Sequence, residues 1–392
     1  MDELPLFSQP AKRAKPEPKA RTPAKPKPSP HREEKGNFRL DFSRVLGQEK
    51  VKKLLSQAIL RGRVSKAYLF YGPEGSGKDA MAIELAKALN CQSPTVRPCQ
   101  TCAACRQIAS LNYPDLHFIF AAPKSIKEED YVKHLARLME NPYQDSAYSS
   151  TATISIERIR ELKRAAALKR HQRGYQVTII SQADRMTPEA ANSLLKLLEE
   201  PPPRSVLILT TSRLERLFPT IISRCQVVQF APLQPEEIRE ALPQFGASES
   251  QAEVVSRLAM GNFRKAREIL HEDFETLRKE ALELLRVSRS ADELTQLSFV
   301  EELGGRKDRG KTKELLLLAL LWLRDAQLFA SAQDRESVRE FLYNADKIEE
   351  IRDLVQLFQG INLEKTIAET ENSIDLIEKN VYINLVLIHL VN

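Results

Sequence analysis

An α/β fold, with a parallel sheet covered by helices and an all-helical C-terminal part, is what three features of this 392-residue sequence predict. Between about residues 38 and 231, short apolar runs alternate with stretches of helical periodicity, the pattern of strands joined by crossover helices. One of those runs, Ala67–Tyr71, ends in the glycine-rich loop "GPEGSGK", which opens a helix. After Pro232 the strand-like runs stop, and apolar positions recur only at helical spacing.

Each element follows from local chemistry. Residues 1–37 are dense in Pro, Lys, Ala and Ser, with almost no large apolar residue after Phe7, and are expected to form a disordered basic arm. Residues 44–61 place Val45, Val51, Leu54, Leu55, Ala58 and Ile59 on one helical face. Ala67–Tyr71 reads as a buried strand and 78–89 as the helix opened by the loop. Further strands are expected at Leu116–Phe120, Gln176–Ile180, Val206–Thr210 and Val227–Phe230. Helices at Ile156–Leu168 and Glu189–Leu198 separate them, and Pro201–Pro203 ends the second. This divides the chain into an arm (1–37), an α/β domain (38–231) with an insertion at 91–105, a small helical unit (232–273) and a helical C-terminal domain (274–392). No internal repeat stands out.

Composition narrows the functional classes. Hydrophobic residues make up 42% and charged residues 29%, the balance of a water-soluble globular chain. The apolar run Leu315–Leu323 is too short to span a bilayer and reads as a core helix. The start carries Asp2 and Glu3 and no long apolar stretch, so no signal peptide is expected and the setting is read as cytoplasmic. Of the net charge of +6, the arm holds +4, from nine Lys/Arg against five Asp/Glu. A body of about +2 does not itself argue for nucleic-acid binding.

The glycine loop is a phosphate-binding pattern with one departure. Gly72, Gly75, Gly77 and Lys78 keep the anion cradle, in which backbone N–H groups and a helix N-terminus face the phosphates and the lysine reaches them. Asp79 replaces the Ser or Thr whose hydroxyl joins the Mg²⁺ shell, and it adds negative charge there. A hydrolysing site also needs acidic residues at the end of a neighbouring strand. The candidate strand reads "VTIISQADRM", with Ser181 and Gln182 in those slots and Asp184 beyond them. Two parts of the Mg²⁺ site are degraded together, so hydrolysis by this chain is not expected. Nucleotide binding stays open.

Four of the five cysteines fall within fifteen residues. Cys91, Cys99, Cys102 and Cys105 are spaced C-x₇-C-x₂-C-x₂-C, which suits one tetrahedral Zn²⁺ held by four thiolates. Four protein ligands leave no open position, so the expected role is structural. Cys225 is read as a small buried hydrophobe.

Taken together, "FSRVLGQEKVKKLLSQAILRGRVSKAYLFYGPEGSGK", "ANSLLKLLEEPP" and "PTIISRC" resemble the clamp-loader branch of the AAA+ superfamily over residues 38 to about 270. The disabled Mg²⁺ slots make the chain similar to the delta-prime type of bacterial DNA polymerase III clamp loader rather than the hydrolysing gamma/tau type. The resemblance implies a stator-like member of a five-subunit ring, with gamma/tau-type and delta-type neighbours, that loads a sliding clamp on primed DNA. The chain would then belong to a DNA polymerase holoenzyme, a nucleotidyltransferase assembly, without catalysing the reaction itself. Residues 232–273 would be the lid, and the C-terminal third the collar.

The resemblance also assigns residues. Arg224, in "SRC", matches the arginine that projects in trans to the γ-phosphate on a neighbouring subunit. Thr210 and Thr211 stand at the polar sensor position, and Arg264, in "GNFRKA", at the lid's sensor arginine. The exposed face of the "NSLLKLLEEPP" helix, with Lys196, Glu199 and Glu200, offers a subunit contact. In the arm, "ELPLF" resembles the short peptide that docks replication proteins on the clamp, with Leu4, Leu6 and Phe7 as anchors and Glu3 in place of the usual Gln. Two other readings compete: an active gamma/tau-type AAA+ ATPase, which Ser181 and Gln182 argue against, and a zinc-stabilised DNA-binding adaptor outside any ring.

Overall fold

Residues 38–167, 174–271, 274–290, 292–305, 308–332, 338–379 and 381–391 are described by the computed structural model. Strand β1 (Arg39–Leu40) and helix α1 (Glu49–Leu60) lead into strand β2 (Ala67–Tyr71), the glycine loop and helix α2 (Lys78–Asn90). There follow β3 (Val96–Arg97), α3 (Ala103–Ala109), β4 (Leu116–Ile119), α4 (Glu128–Glu140), α5 (Ile156–Ala167) and β5 (Gln176–Ile180). Helix α6 (Pro188–Glu199), β6 (Ser205–Thr211), the short α7 (Pro219–Ile222) and β7 (Gln226–Gln229) complete the α/β part. The expected strands are all present, to within a residue or two at each end. Helix α1 starts five residues later than its periodicity suggested, because Gly47 and Gln48 take left-handed backbone conformations before it. The β1–β3 pair, α3 and α4 were not foreseen.

The main sheet is parallel throughout, in the order β4-β5-β6-β2-β7. Strands buried on both faces explain the near-continuous apolar runs, since period-two alternation hides when neither face meets water. Tyr68 and Phe70 of β2 and Val206 and Ile208 of β6 point to one core, with Met81 and Leu85 of α2. Ala67, Leu69, Leu207 and Leu209 point to the other, with Ile159 of α5 and Leu194 of α6. Thr187 caps α6 by accepting from Ala190 N–H at 3.3 Å, with Pro188 as the first helical residue.

The chain beyond β7 is helical. Helices α8 (Pro235–Ala241), α9 (Glu249–Leu258) and α10 (Phe263–His271) are followed by α11 (Phe274–Val287), α12 (Glu293–Gly305) and α13 (Arg309–Ser331). Then come α14 (Ile348–Leu357), α15 (Leu363–Glu378) and α16 (Ile383–Val391). Helix α13 packs against α11, α14 and α15, and its Leu315–Leu323 run is buried throughout, as a core helix requires. A buried polar hub, invisible to periodicity, joins this bundle. Arg278 donates to Asn344 Oδ1 at 2.8 Å and to both carboxylate oxygens of Asp346 at 2.8 and 2.6 Å. Asp325 accepts from Tyr343 N–H and from Asn344. Among the described residues, no helix is long and apolar enough to cross a membrane.

Candidate functional site

Strand β2 lies between β6 and β7, and its C-terminal end delivers the glycine loop to the place where the strand order reverses direction. Open α/β sheets bind ligands at that kind of edge. Gly75 is required there: φ is +66°, and a β-carbon would stand 1.8 Å from Asn262 Oδ1 at the entry of α10. The loop and the helical unit thus meet too closely for any side chain, and Phe263 N–H donates to Gly75 O at 3.2 Å.

The loop's lysine faces inward. Lys78 Nζ donates to the carbonyls of Gly72 at 2.9 Å and Pro73 at 2.6 Å, and it is buried. Burial lowers its pKa to about 8, although Asp79 and Glu74 nearby oppose the shift.

Asp79 bridges three elements. Its Oδ2 accepts from Ser181 Oγ at 2.5 Å, at the end of β5, and its Oδ1 accepts from Thr210 Oγ1 at 2.7 Å, on β6. The carboxyl therefore sits beside the two strand ends, with hydroxyl donors where a metal site would present carboxylates. Burial pushes its pKa up, and the Ser181 and Thr210 hydroxyls and Lys78 pull against that.

The other acidic groups around the loop are engaged. Asp184 Oδ1 accepts from Thr211 Oγ1 at 2.7 Å. Asp145 Oδ1 accepts from Gln182 Nε2 at 2.5 Å. Arg264 donates to Glu74 and lies 3.6 Å from both Asp145 and Glu268. The expected residues Gly75, Gly77, Lys78, Asp79, Thr210, Thr211 and Arg264, together with Gln182, therefore line one cleft. Sequence reasoning missed Tyr143, which also forms its wall, and Asp145, which bonds to Gln182 and faces Arg264 beside it, because residues 141–148 carry no motif.

Arg224 lies elsewhere, just past α7. It is partly exposed, donates from Nη1 to Thr220 O at 2.9 Å and from Nη2 to Glu199 Oε1 at 2.7 Å. Lys196, Glu199 and Glu200 are exposed on the same flank. Cys225 corrects the expectation of burial: it is only half-buried, packed at the edge of the α5/α6 core. Helix α7 stops at Ile222, which leaves Cys225 on the turn into edge strand β7.

The cysteine cluster forms at the end of α2. The sulfurs of Cys91, Cys99, Cys102 and Cys105 all lie within 4.8 Å of one another. Four thiolates about 2.3 Å from one tetrahedral Zn²⁺ stand about 3.8 Å apart, so this donor set can close on the ion with little movement. Cys99 N–H points at Cys91 Sγ at 3.4 Å and Cys102 N–H at Cys99 Sγ at 3.3 Å, donors that suit anionic sulfur. The cluster can hold a metal ion. Beneath it, Lys87 and Glu84, both buried, pair at 2.7 Å, and Gln100 bonds to each of them.

Comparison with known proteins places this arrangement. A family profile described as "DNA polymerase III, delta subunit" matches residues 47–234. The "DNA polymerase III subunit delta'" of Bacillus subtilis is 36% identical over 241 residues, 61% of this chain and 64% of that protein. Over its α/β part the chain is similar to the DNA polymerase III clamp-loader family. Subunit tau of the same organism is 28% identical over 321 residues, 76% of this chain and 52% of that protein. The chain spans about half to two thirds of these relatives' length. A gamma-subunit-related protein from Thermotoga maritima covers 88% of this chain and 96% of its own, at 16% identity and a TM-score of 0.34, a likeness too distant to argue from.

Proposed function

We propose that this chain is a delta-prime-type clamp-loader subunit that does not hydrolyse ATP and supplies Arg224 in trans to a neighbouring ATPase subunit. The observation that carries the reading is the position of Asp79. Its carboxylate accepts from Ser181 and Thr210 at 2.5 and 2.7 Å, so the place of a Mg²⁺-binding hydroxyl is taken by a group already satisfied within the protein. Hydrolysis needs a metal to neutralise charge on the phosphoryl group, and the strand ends next to Asp79 offer Ser181 and Gln182 instead of carboxylates.

The partly exposed position of Arg224 supports the second half. A guanidinium outside its own chain's phosphate loop is free to serve a loop on another subunit. The partners in this reading are gamma/tau-type and delta-type subunits in a five-membered ring, a sliding clamp and primed DNA, in a cytoplasmic setting. Residues 38–231, 232–273 and 274–392 act as AAA+ module, lid and collar, and Zn²⁺ in the cysteine cluster fastens the insertion at 91–105. The clamp-docking residues Leu4, Leu6 and Phe7 lie outside the described residues, and their part rests on the "ELPLF" pattern alone.

The test is reconstitution with candidate clamp-loader subunits, followed by clamp- and DNA-stimulated ATPase assays. The reading expects no turnover by the isolated chain and turnover by the complex that requires its presence. Turnover by the isolated chain would favour the active gamma/tau-type alternative, and failure to enter any ring would favour a separate DNA-binding adaptor.

A further inference from the structure

Between α4 and α5, residues 141–148 run across the mouth of the glycine loop. Tyr143, at the centre, is buried although it belongs to no helix or strand. Its hydroxyl accepts from Leu46 N–H at 2.7 Å. Its ring meets Phe263 of α10 edge-on, with centroids 5.0 Å apart. It also rests directly on the N-terminus of α2: a β-carbon at Gly77 would stand 3.1 Å from Tyr143 Cε1. One side chain therefore touches the entry to α1, the first turn of α2 and the helical unit.

The rest of the segment is fastened on either side. Asp145 accepts from Gln182 and faces Arg264. Ser146 Oγ lies 2.6 Å from Ser181 Oγ, next in line to Asp79. His134 of α4 approaches Ser146 O at 3.0 Å, and Tyr148 N–H donates to Ala121 O at 2.8 Å. Asp145 thereby brings negative charge to the arginine and amide that flank the phosphate cradle.

The cleft that remains among Glu74, Lys78, Asp79, Tyr143, Thr210 and Arg264 is about 40 Å³. Pockets for small organic ligands run to about 300–1,000 Å³. Tyr143 stands against Gly77, which opens α2, and shares the cleft with Lys78 and Asp79. Yet the cradle itself is intact in Gly72, Gly75, Gly77 and Lys78.

We propose that residues 141–147 are an intramolecular occupant of the phosphate-loop cleft, with Tyr143 as its plug, and that this contact keeps purine nucleotides out. The glycine loop has become a joint between the α/β part and the helical unit, with Tyr143 the side chain that closes it. This deepens the non-hydrolysing reading of the same loop, but it concerns binding by the chain alone and stands apart from what Arg224 does in a ring.

The experiment is a titration of the full chain with the fluorescent nucleotide mant-ADP in EDTA, so that the missing metal ligands do not enter. Wild type should show no saturable binding into the millimolar range, and Tyr143→Ala should bind at least about tenfold more tightly. Saturable wild-type binding at low micromolar nucleotide would overturn the proposal, as would a folded Tyr143→Ala variant no better than wild type. If the alanine variant does not fold, Tyr143→Phe decides by hydrogen exchange. The Leu46 amide should exchange at least about tenfold faster in it than in wild type, because its acceptor is gone. Equal exchange would show that Tyr143 does not close the cleft.

Discussion

The Arg224 guanidinium lies 2.7 Å from Glu199 Oε1, so the side chain rests against the end of its own α6. An exposed pair of this kind contributes roughly 0–1 kcal/mol. Swinging Arg224 toward a neighbouring subunit therefore costs little. Arginines that act in trans on NTPases contribute about 10³–10⁵ in rate at the site they serve. Arg224→Ala is expected to leave ring assembly intact and lower the complex's stimulated ATPase by about tenfold or more. Glu199→Ala should leave that rate unchanged or raise it. Unaltered ATPase in the arginine variant would remove the trans assignment.

The cysteine cluster is expected to hold one Zn²⁺ per chain, readable by elemental analysis of protein purified without added metal. Cys102→Ser should abolish tight retention and lower the unfolding temperature by several degrees, because the free energy of metal binding is coupled to folding. A protein free of zinc with an unchanged melting curve would contradict this.

Glu84 and Lys87 are both buried beside that cluster. Glu84→Leu leaves the Lys87 ammonium buried without its partner, which typically costs about 3–5 kcal/mol. The double variant Glu84→Leu with Lys87→Met should regain most of the loss. Urea unfolding midpoints compare the three, and equal midpoints would mean that water reaches Lys87.

Lys78 gives a pH signature. Burial lowers its pKa from 10.5 to about 8, so the folded chain holds this proton less tightly than the unfolded chain. Its contribution to stability rises between pH 8 and 10.5, and is lost as pH falls through about 8. Relative to Lys78→Met, wild type should gain stability over that window, by a few kcal/mol at most. A difference indifferent to pH would mean an ammonium as well solvated as a free lysine.

Much of the fold was legible in the amino-acid order. Runs such as Ala67–Tyr71 and Gln176–Ile180 are continuous because both faces of their strands are buried, and their bounds match the observed strands. The glycine loop, the Asp79 departure, Ser181, Gln182 and the four cysteines could be read because their chemistry depends on local spacing. Helix α4 was missed although Tyr131 and Leu138 bury one of its faces, because its charged residues dominate the pattern. Cys225 was placed too deep, since a lone apolar side chain does not reveal that the strand it leads into lies at the sheet edge.

By itself, then, the sequence determined the parallel α/β class, the glycine-loop position and the four-cysteine set that can hold a metal ion, all of which depend on residues a few positions apart. Tertiary structure decided what the loop faces. Tyr143 reaches Leu46 across 97 positions and Thr210 reaches Asp79 across 131. The Arg264–Glu74 pair spans 190 positions. No periodicity or spacing carries such pairings, because they exist only once the sheet has brought the strand ends together and the helical unit has closed on them.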